Sequence, residues 1–294
     1  MIVTGKKFSK PELSRVINGD TQLASEDAGP EKFRLDHLLV EQYPEYNRSS
    51  LQTFIKSGFV TVNGIITTKP NSKVEKDAKI ELNVPPAEKL PPRPPVIYED
   101  DHVLVLNKPA GLLSMAKGEY CPEPTLEDYG LLVHRLDRDT SGVVILAKDS
   151  ATQKMLRKQF QDRKTHKTYY AVVDGHPKLA EAMIDLPIAR NLKRPTTFQV
   201  DQNGKSSQTY YKVLQQNDKY SLIELKPTTG RTHQLRVHLK YLGTPIVGDV
   251  VYGTPDQRLF LHAKDLEITI PGQDGGERKI FTAELPPEFT AKVA

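Results

Sequence analysis

Residues 134–142 read HRLDRDTSG and stand between the apolar runs LLV (131–133) and VVILA (143–147). The flanks read as strands, so the nine residues between them form a connection. Ordinary connections are built from Gly, Pro, Asn and Ser. Here only Ser141 and Gly142 answer that description, and seven of the nine side chains are polar or charged. An acid surrounded by His134, Arg135 and Arg138 is unusual in a connection between strands, and what it does there has to be read from the rest of the chain.

Asp137 is the centre of that stretch. A nearby arginine keeps an aspartate ionised. In an extended segment residues 135 and 137 point the same way, so both would face one cleft. That pattern suits a carboxylate used as nucleophile or base. An ordinary loop salt bridge has the same composition, and the nine residues alone do not separate the two readings.

The chain has 294 residues, enough for two domains with substantial cores. Hydrophobic residues make up 37% and charged residues 27%, which suits a soluble globular protein. No apolar run approaches the ~20 residues of a membrane span. The start, MIVTGKKFSKPELSRVINGD, lacks the apolar core of a secretory signal. One cysteine, Cys121, excludes an internal disulfide and fits a reducing compartment, so the cytoplasm is expected. The net charge of +4 is mild. Local clustering is stronger: Lys154, Arg157, Lys158, Arg163, Lys164 and Lys167 face a single acid, Asp162. Such a stripe favours a polyanion partner, although a solvated helix face has the same pattern.

Working outward from the loop, four segments are expected. Residues 1–32 read as a flexible leader and 33–84 as a small α+β module. In that module RLDHLL places Leu35, Leu38 and Leu39 on one helical face, and RSSLQTFIKSG does the same for Leu51, Phe54 and Ile55. FVTVNGII reads as a hairpin turning at Asn63-Gly64, because both residues tolerate positive φ. KDAKIELNV adds a strand. Six prolines between Pro85 and Pro95 make 85–95 a semi-rigid linker. From 96 to 294 strand-like runs dominate: HVLVLN, GVVILA, YYAVVDG, SQTYYKVL, SLIELKP, LFLH and LEITI. Helical patterning is confined to SATQKMLRKQF and THQLRVHLKYLG, where Leu235, Val237, His238 and Leu242 line one side. The fold class is α+β, with a large, mostly antiparallel sheet in the second domain.

Several chemistries are absent from the sequence. His233 and His238 are five apart, too far round a helix to share a metal, and no acidic or cysteine cluster joins them. There is no phosphate loop, no GxGxxG fingerprint and no GxSxG elbow. No metal and no cofactor is expected.

HRLDRDTSG resembles the HRLDxxTSG signature of the RluA-type pseudouridine synthases. YEDDHVLVLNKPAGLL, KTYYAVVDG, GRTHQLRVH, GTPIVGDVVYG and RLFLHA resemble that family in the same order, from about Val96 to Phe289. The first module resembles the αL RNA-binding domain known from a small-subunit ribosomal protein, through RLDHLL, NRSSLQTFIKSGFVTVNG and DAKIEL. The segment between Gly111 and His134 is shorter and less regular than its family counterpart, which bears on substrate selection.

The resemblance implies an RNA pseudouridine synthase that flips a uridine from structured RNA. It makes Asp137 the catalytic residue and Tyr169 the aromatic group against the base, with Tyr170 as the substitute. It makes Arg236 the basic partner of Asp137, with Arg231 as the competing assignment and otherwise an RNA contact. It puts Arg135 and His134 near the extruded base and gives Leu261 an apolar wall. In the first module Arg48 and Lys56 either bind phosphate or are solvated. By residue pattern alone, Tyr169 and Tyr170 are sheet residues and Arg236 a surface cation. The expected partner is RNA, rRNA ahead of tRNA, with no membrane and no obligate protein partner, so a monomer is expected. The rival readings are a tRNA pseudouridine synthase, a non-catalytic RNA-binding or ribosome-assembly protein of the same fold, and a phosphodiesterase or nucleosidase using Asp137 as base.

Overall fold

A computed structural model describes residues 31–46, 48–84, 93–116, 123–272 and 275–294. The expected leader as far as residue 30, the linker from 85 to 92, and Cys121 lie outside the described residues. The chain divides into two compact units, one ending at Val84 and one starting at Pro85.

The first unit runs β1 (Lys32–Arg34), α1 (Leu35–Gln42), α2 (Arg48–Lys56), β2 (Val60–Val62), β3 (Ile65–Ile66), β4 (Lys73–Glu75) and β5 (Ile80–Leu82). Leu35, Leu39, Leu51, Phe54 and Ile55 are fully buried, and Leu38 nearly so. The helices therefore pack through the faces that their 3.6-residue periodicity marks. Asn63 and Gly64 both have positive φ (51° and 79°) and join β2 to β3. The strand β1 has no counterpart in the sequence reading; it pairs with β4. Arg48 does not stand free for phosphate as the sequence allowed. Its guanidinium lies 2.9 Å from the carboxylate of Asp36, whose side chain is fully buried. Arg34 and Gln52 bond the same carboxylate, and these donors, Arg34 first, hold the Asp36 pKa well below the usual carboxylate range. Lys56 is exposed in the last turn of α2.

The second unit contains β6 (Val96–Glu99), β7 (Val103–Lys108), β8 (Leu131–Leu132), β9 (Ser141–Ala147), α3 (Ser150–Gln161), β10 (His166–Asp174), β11 (Glu181–Asp185), β12 (Ile188–Arg190), β13 (Phe198–Val200), β14 (Gln208–Gln216), β15 (Tyr220–Pro227), α4 (Gln234–Tyr241), β16 (Leu261–Ile270), β17 (Glu277–Thr282) and α5 (Pro287–Ala291). Its main sheet has the order β11-β14-β15-β10-β16-β9-β7-β6, with β17 on β16 and β8 on β9. Every pairing is antiparallel except β9 with β16, so the sheet is mixed and mostly antiparallel, as the sequence implied. LFLH and LEITI, read as separate runs, contribute to one ten-residue strand. Residues 93–95, expected as linker, already belong to this unit: the Asn107 amide donates to the Pro95 carbonyl.

Two hydrophobic cores lie along the sheet. One gathers β7, β9, Leu136 and the C-terminal part of β16; the other gathers β10, β14, β15, Leu235, Leu239 and Phe260. The parallel seam between β9 and β16 spans only two residue pairs, Ser141 with His262 and Gly142 with Ala263. Gly142 has φ +115°, and a Cβ there would sit 2.6 Å from the Ala263 nitrogen and closer still to its carbonyl oxygen. Gly142→Ala is therefore expected to cost about 3 kcal/mol or more, from backbone strain and overlap together. Urea unfolding of the two proteins measures it.

Candidate active site

The loop from β8 to β9 is fastened on both sides of Asp137. Before it, the Leu136 amide donates to Ser114 Oγ, and the Ser114 hydroxyl donates to the Leu136 carbonyl at 2.7 Å. After it, the Arg138 carbonyl accepts from the Gly111 amide (2.9 Å) and from Lys108 Nζ (2.7 Å). Lys108 is fully buried and also donates to the carbonyls of Pro109 and Leu112. Burial pulls its pKa down to about 7, against the pull of Asp139 and Asp137. Three carbonyl acceptors use all three N–H bonds of an ammonium, whereas a neutral amine would leave one unserved. Lys108→Met would orphan these carbonyls, with an expected loss of about 2–4 kcal/mol of stability and about tenfold or more of activity. Urea unfolding and turnover on the same preparation give both figures.

Held in this way, the Asp137 carboxylate faces α4. Its Oδ2 lies 3.3 Å from Arg236 Nη1 and 3.9 Å from His233 Nε2. The adjacent arginines do not perform the expected task. Arg138 pairs with Glu123 at 2.7 Å, and Arg135 is exposed, with Nη1 3.7 Å from Met115 Sδ. The i,i+2 rule applies to strands, and here the chain is a loop.

Arg236 is not a surface cation. It is 7% exposed, and its Nε and Nη2 donate to the two oxygens of Asp249, both at 2.7 Å. Burial works against the guanidinium charge, but Asp249 outweighs it and raises the Arg236 pKa. The Asp249 pKa, which burial would raise, is lowered in turn by Arg236 and by the amides of Tyr252 and Val251. The guanidinium also stands 5.1 Å over the Tyr252 ring. The Tyr252 hydroxyl accepts from the Phe198 amide and lies 2.9 Å from His233 Nδ1. Burial lowers the His233 pKa, so the neutral imidazole prevails near pH 7 and Arg236 is the cation at Asp137.

His233 adopts a left-handed backbone (φ 54°, ψ 22°) as it opens α4. Such a conformation in a non-glycine residue is uncommon and is held by its surroundings. Gln234 provides that hold: its Oε1 accepts from Thr229 Oγ1 and the Arg231 amide, and its Nε2 donates to the Gln208 carbonyl. Arg236 follows in the first turn of α4.

All seven candidates of the second unit line one cleft of about 570 Å³: His134, Arg135, Asp137, Tyr169, Arg231, Arg236 and Leu261. Its volume falls in the range of small-molecule and cofactor sites. Tyr169 lines it and Tyr170 does not, which separates the two tyrosines. A register shift between Thr168 and Tyr169 against β16 sets where this face of the strand points. Burial, and then the Asp137 charge, pushes the Tyr169 pKa up, so its hydroxyl is a donor at neutral pH. Leu261 is 4% exposed and forms an apolar wall. His134 accepts from the Ile145 amide and stacks on Phe160 at 4.6 Å. Burial and then Lys167 lower its pKa to about 3, so it is a neutral framework residue. Arg231 Nε donates to the Ser206 carbonyl at 3.1 Å. Asp249, Tyr252, Lys108 and Gln234 received no role from the sequence, although each stands within or beside a quoted motif. Among the described residues no group of three or more His, Cys, Asp or Glu is placed to hold a metal ion.

Comparisons with known proteins agree on one family. A family model described as RNA pseudouridylate synthase matches residues 102–241, and an S4 domain model matches 33–80. A protein named ribosomal large subunit pseudouridine synthase D, from Borreliella burgdorferi, is 36% identical over 296 residues, covering 87% of each chain. The dual-specificity RNA pseudouridine synthase RluA of Escherichia coli is 42% identical over 216 residues, covering 68% of this chain and 97% of its own. Among solved structures, human RNA pseudouridylate synthase domain containing 1 superposes with a TM-score of 0.58 at 30% identity, covering 68% of this chain and 87% of its own.

Proposed function

The chain belongs to the RluA-type RNA pseudouridine synthases, with an S4 domain ahead of the catalytic one, and on that premise we propose that it isomerises specific uridines of large-subunit rRNA through Asp137. The reaction breaks the bond between ribose C1′ and uracil N1, turns the base, and joins C1′ to C5. The hydrogen on C5 leaves as a proton and N1 gains one, so nothing is oxidised and no water is consumed.

The observation that carries this reading is the row Asp249–Arg236–Asp137, whose Arg236 and Asp137 line one cleft with Tyr169. A carboxylate drawn from water tends to take up a proton, and a close guanidinium opposes that. Here the guanidinium is itself anchored by a second, fully buried carboxylate, so its position does not depend on substrate. The Tyr169 ring offers a stacking face for the flipped base and its hydroxyl a proton donor. Leu261 and the cleft walls keep water from the sugar while the base is detached. Unstacking the target uridine costs a few kcal/mol, offset by phosphate contacts from the basic cleft and the S4 domain. We place this activity in the cytoplasm, where rRNA is available to a chain with a single cysteine.

The large-subunit substrate is supported by the Borreliella burgdorferi relative, whose match extends over both units. The second reading is a tRNA target, favoured by the dual specificity in the Escherichia coli relative's name. Carbodiimide-based sequencing of cellular rRNA and tRNA, with and without the gene, distinguishes them. Tritium release from C5-labelled uridine in the same RNAs tests the chemistry, and a wild-type protein that releases none from any RNA overturns it.

A further inference from the structure

Asp137 is the sole acid among the described residues that line the cleft, and Arg236 already holds it. The other charged side chains on its walls are cations: Arg135, Arg163, Lys167 and Arg231. Lys167, like Arg231, is half-buried, and burial alone lowers its pKa to about 8. Its nearest acceptor is the Thr229 carbonyl, at a long 3.5 Å from Nζ. Among the described residues no carboxylate lies within 4.0 Å of it. A half-buried ammonium with one weak acceptor is a cation short of its counter-ion.

The surroundings favour one chemistry for that counter-ion. Lys167 stands two residues before Tyr169 on β10, and both line the cleft. Two residues of strand are about 7 Å, the scale of a ribose between a base and its phosphate. Beside the ammonium lies Gly230, where an added Cβ would be 3.9 Å from Lys167 Nζ. The next residue is Arg231, braced on the Ser206 carbonyl. A neutral uracil carbonyl does not balance an ammonium; a phosphate does.

We propose that Lys167, with Arg231 on the wall of the same cleft, forms a phosphate subsite that grips the backbone phosphate of the nucleotide whose base rests on Tyr169. This rests on the synthase reading and adds a specific anion contact to it. Loss of the contact weakens RNA binding and lowers its salt dependence, and the chemical step suffers less than substrate capture.

The test uses the full chain with Lys167→Met, which keeps the stem and removes the charge, and Lys167→Arg, which keeps the charge. Binding of deproteinised rRNA and tRNA is measured by filter retention across a salt series, with tritium release in parallel and circular dichroism to check folding. For Lys167→Met, affinity should fall about tenfold or more. The slope of log K against log salt should become shallower by about one. KM should rise by more than kcat falls, and Lys167→Arg should recover most of the slope. With an oligonucleotide carrying the mapped target, an uncharged methylphosphonate at the neighbouring linkage should weaken the wild type and leave Lys167→Met unchanged. An unaltered salt slope in Lys167→Met overturns the subsite, and so does a loss confined to kcat. Absence of tritium release by the wild type counts against the synthase reading alone, because the salt slope reports on Lys167 without turnover.

Discussion

The Asp137→Asn protein should bind RNA within about threefold of wild type and turn it over about 10⁴-fold more slowly, the scale on which removing a principal catalytic group acts in other enzymes. The amide keeps the size of the carboxylate, and the loop is fastened by Leu136 and Arg138 rather than by the Asp137 side chain. Arg236 keeps its bidentate partner Asp249, so no buried cation is stranded. The loss therefore falls on chemistry and not on folding. Single-turnover tritium release and filter binding on one preparation measure the two quantities. A variant that keeps a tenth of the wild-type rate removes Asp137 from the mechanism.

The second large effect belongs to Asp249. Asp249→Ala leaves a buried guanidinium without its principal counter-charge, a change that typically costs about 3–5 kcal/mol. For a unit of this size that lowers Tm by about 6–20 °C. Asp249→Asn keeps the shape and loses the charge; it should be destabilised less than Asp249→Ala, because the amide oxygen still accepts one hydrogen bond, and kcat should fall about 10²-fold, as when a preorganised electrostatic contact is removed. The pH dependence follows from the direction of the shift. The Asp249 pKa is depressed in the folded protein, so its contribution is fully present above the unfolded aspartate value of about 3.9 and is lost as pH falls through the folded value. Wild-type stability should drop below about pH 4 by an increment that Asp249→Asn lacks. Thermal unfolding of both proteins between pH 3 and 7 checks this.

Much of this architecture was legible because it obeys local rules. Helices α1 and α2 show their apolar faces within nine residues, and Asn63-Gly64 announces its turn by residue type. The strands β7 and β9 are buried apolar runs. What escaped depends on distant partners. The strand β1 has three residues, KFR, with no period to read. The strand β16 seemed interrupted at Lys264-Asp265, but a polar pair is accommodated where Asp265 accepts from Thr282 and Lys264 Nζ reaches the Ala283 carbonyl. The helix α4 looked amphipathic with His238 on its buried side, as it is, yet Arg236 is buried too because Asp249 receives it.

For the site, the resemblance supplied residue identities that composition left open, and the cleft brings seven of them together. The local residue pattern pointed to the wrong counter-charge for Asp137, whereas the resemblance named Arg236, which is the one in contact. Arg135 and Arg138 are its neighbours along the chain, but the cation in contact comes from 99 positions away. Asp249 was unreadable for the complementary reason: an aspartate between glycine and valine gives no sign of being wholly enclosed.

The two-pair seam between β9 and β16 has a consequence for how this protein tolerates change. Leu136 and Leu235, the neighbours of the acid and of its cation, are rooted in different cores. The reacting groups are thus mounted on opposite banks, and their separation registers how the banks sit against each other. Damage deep in either bank will blunt catalysis before it unravels the chain.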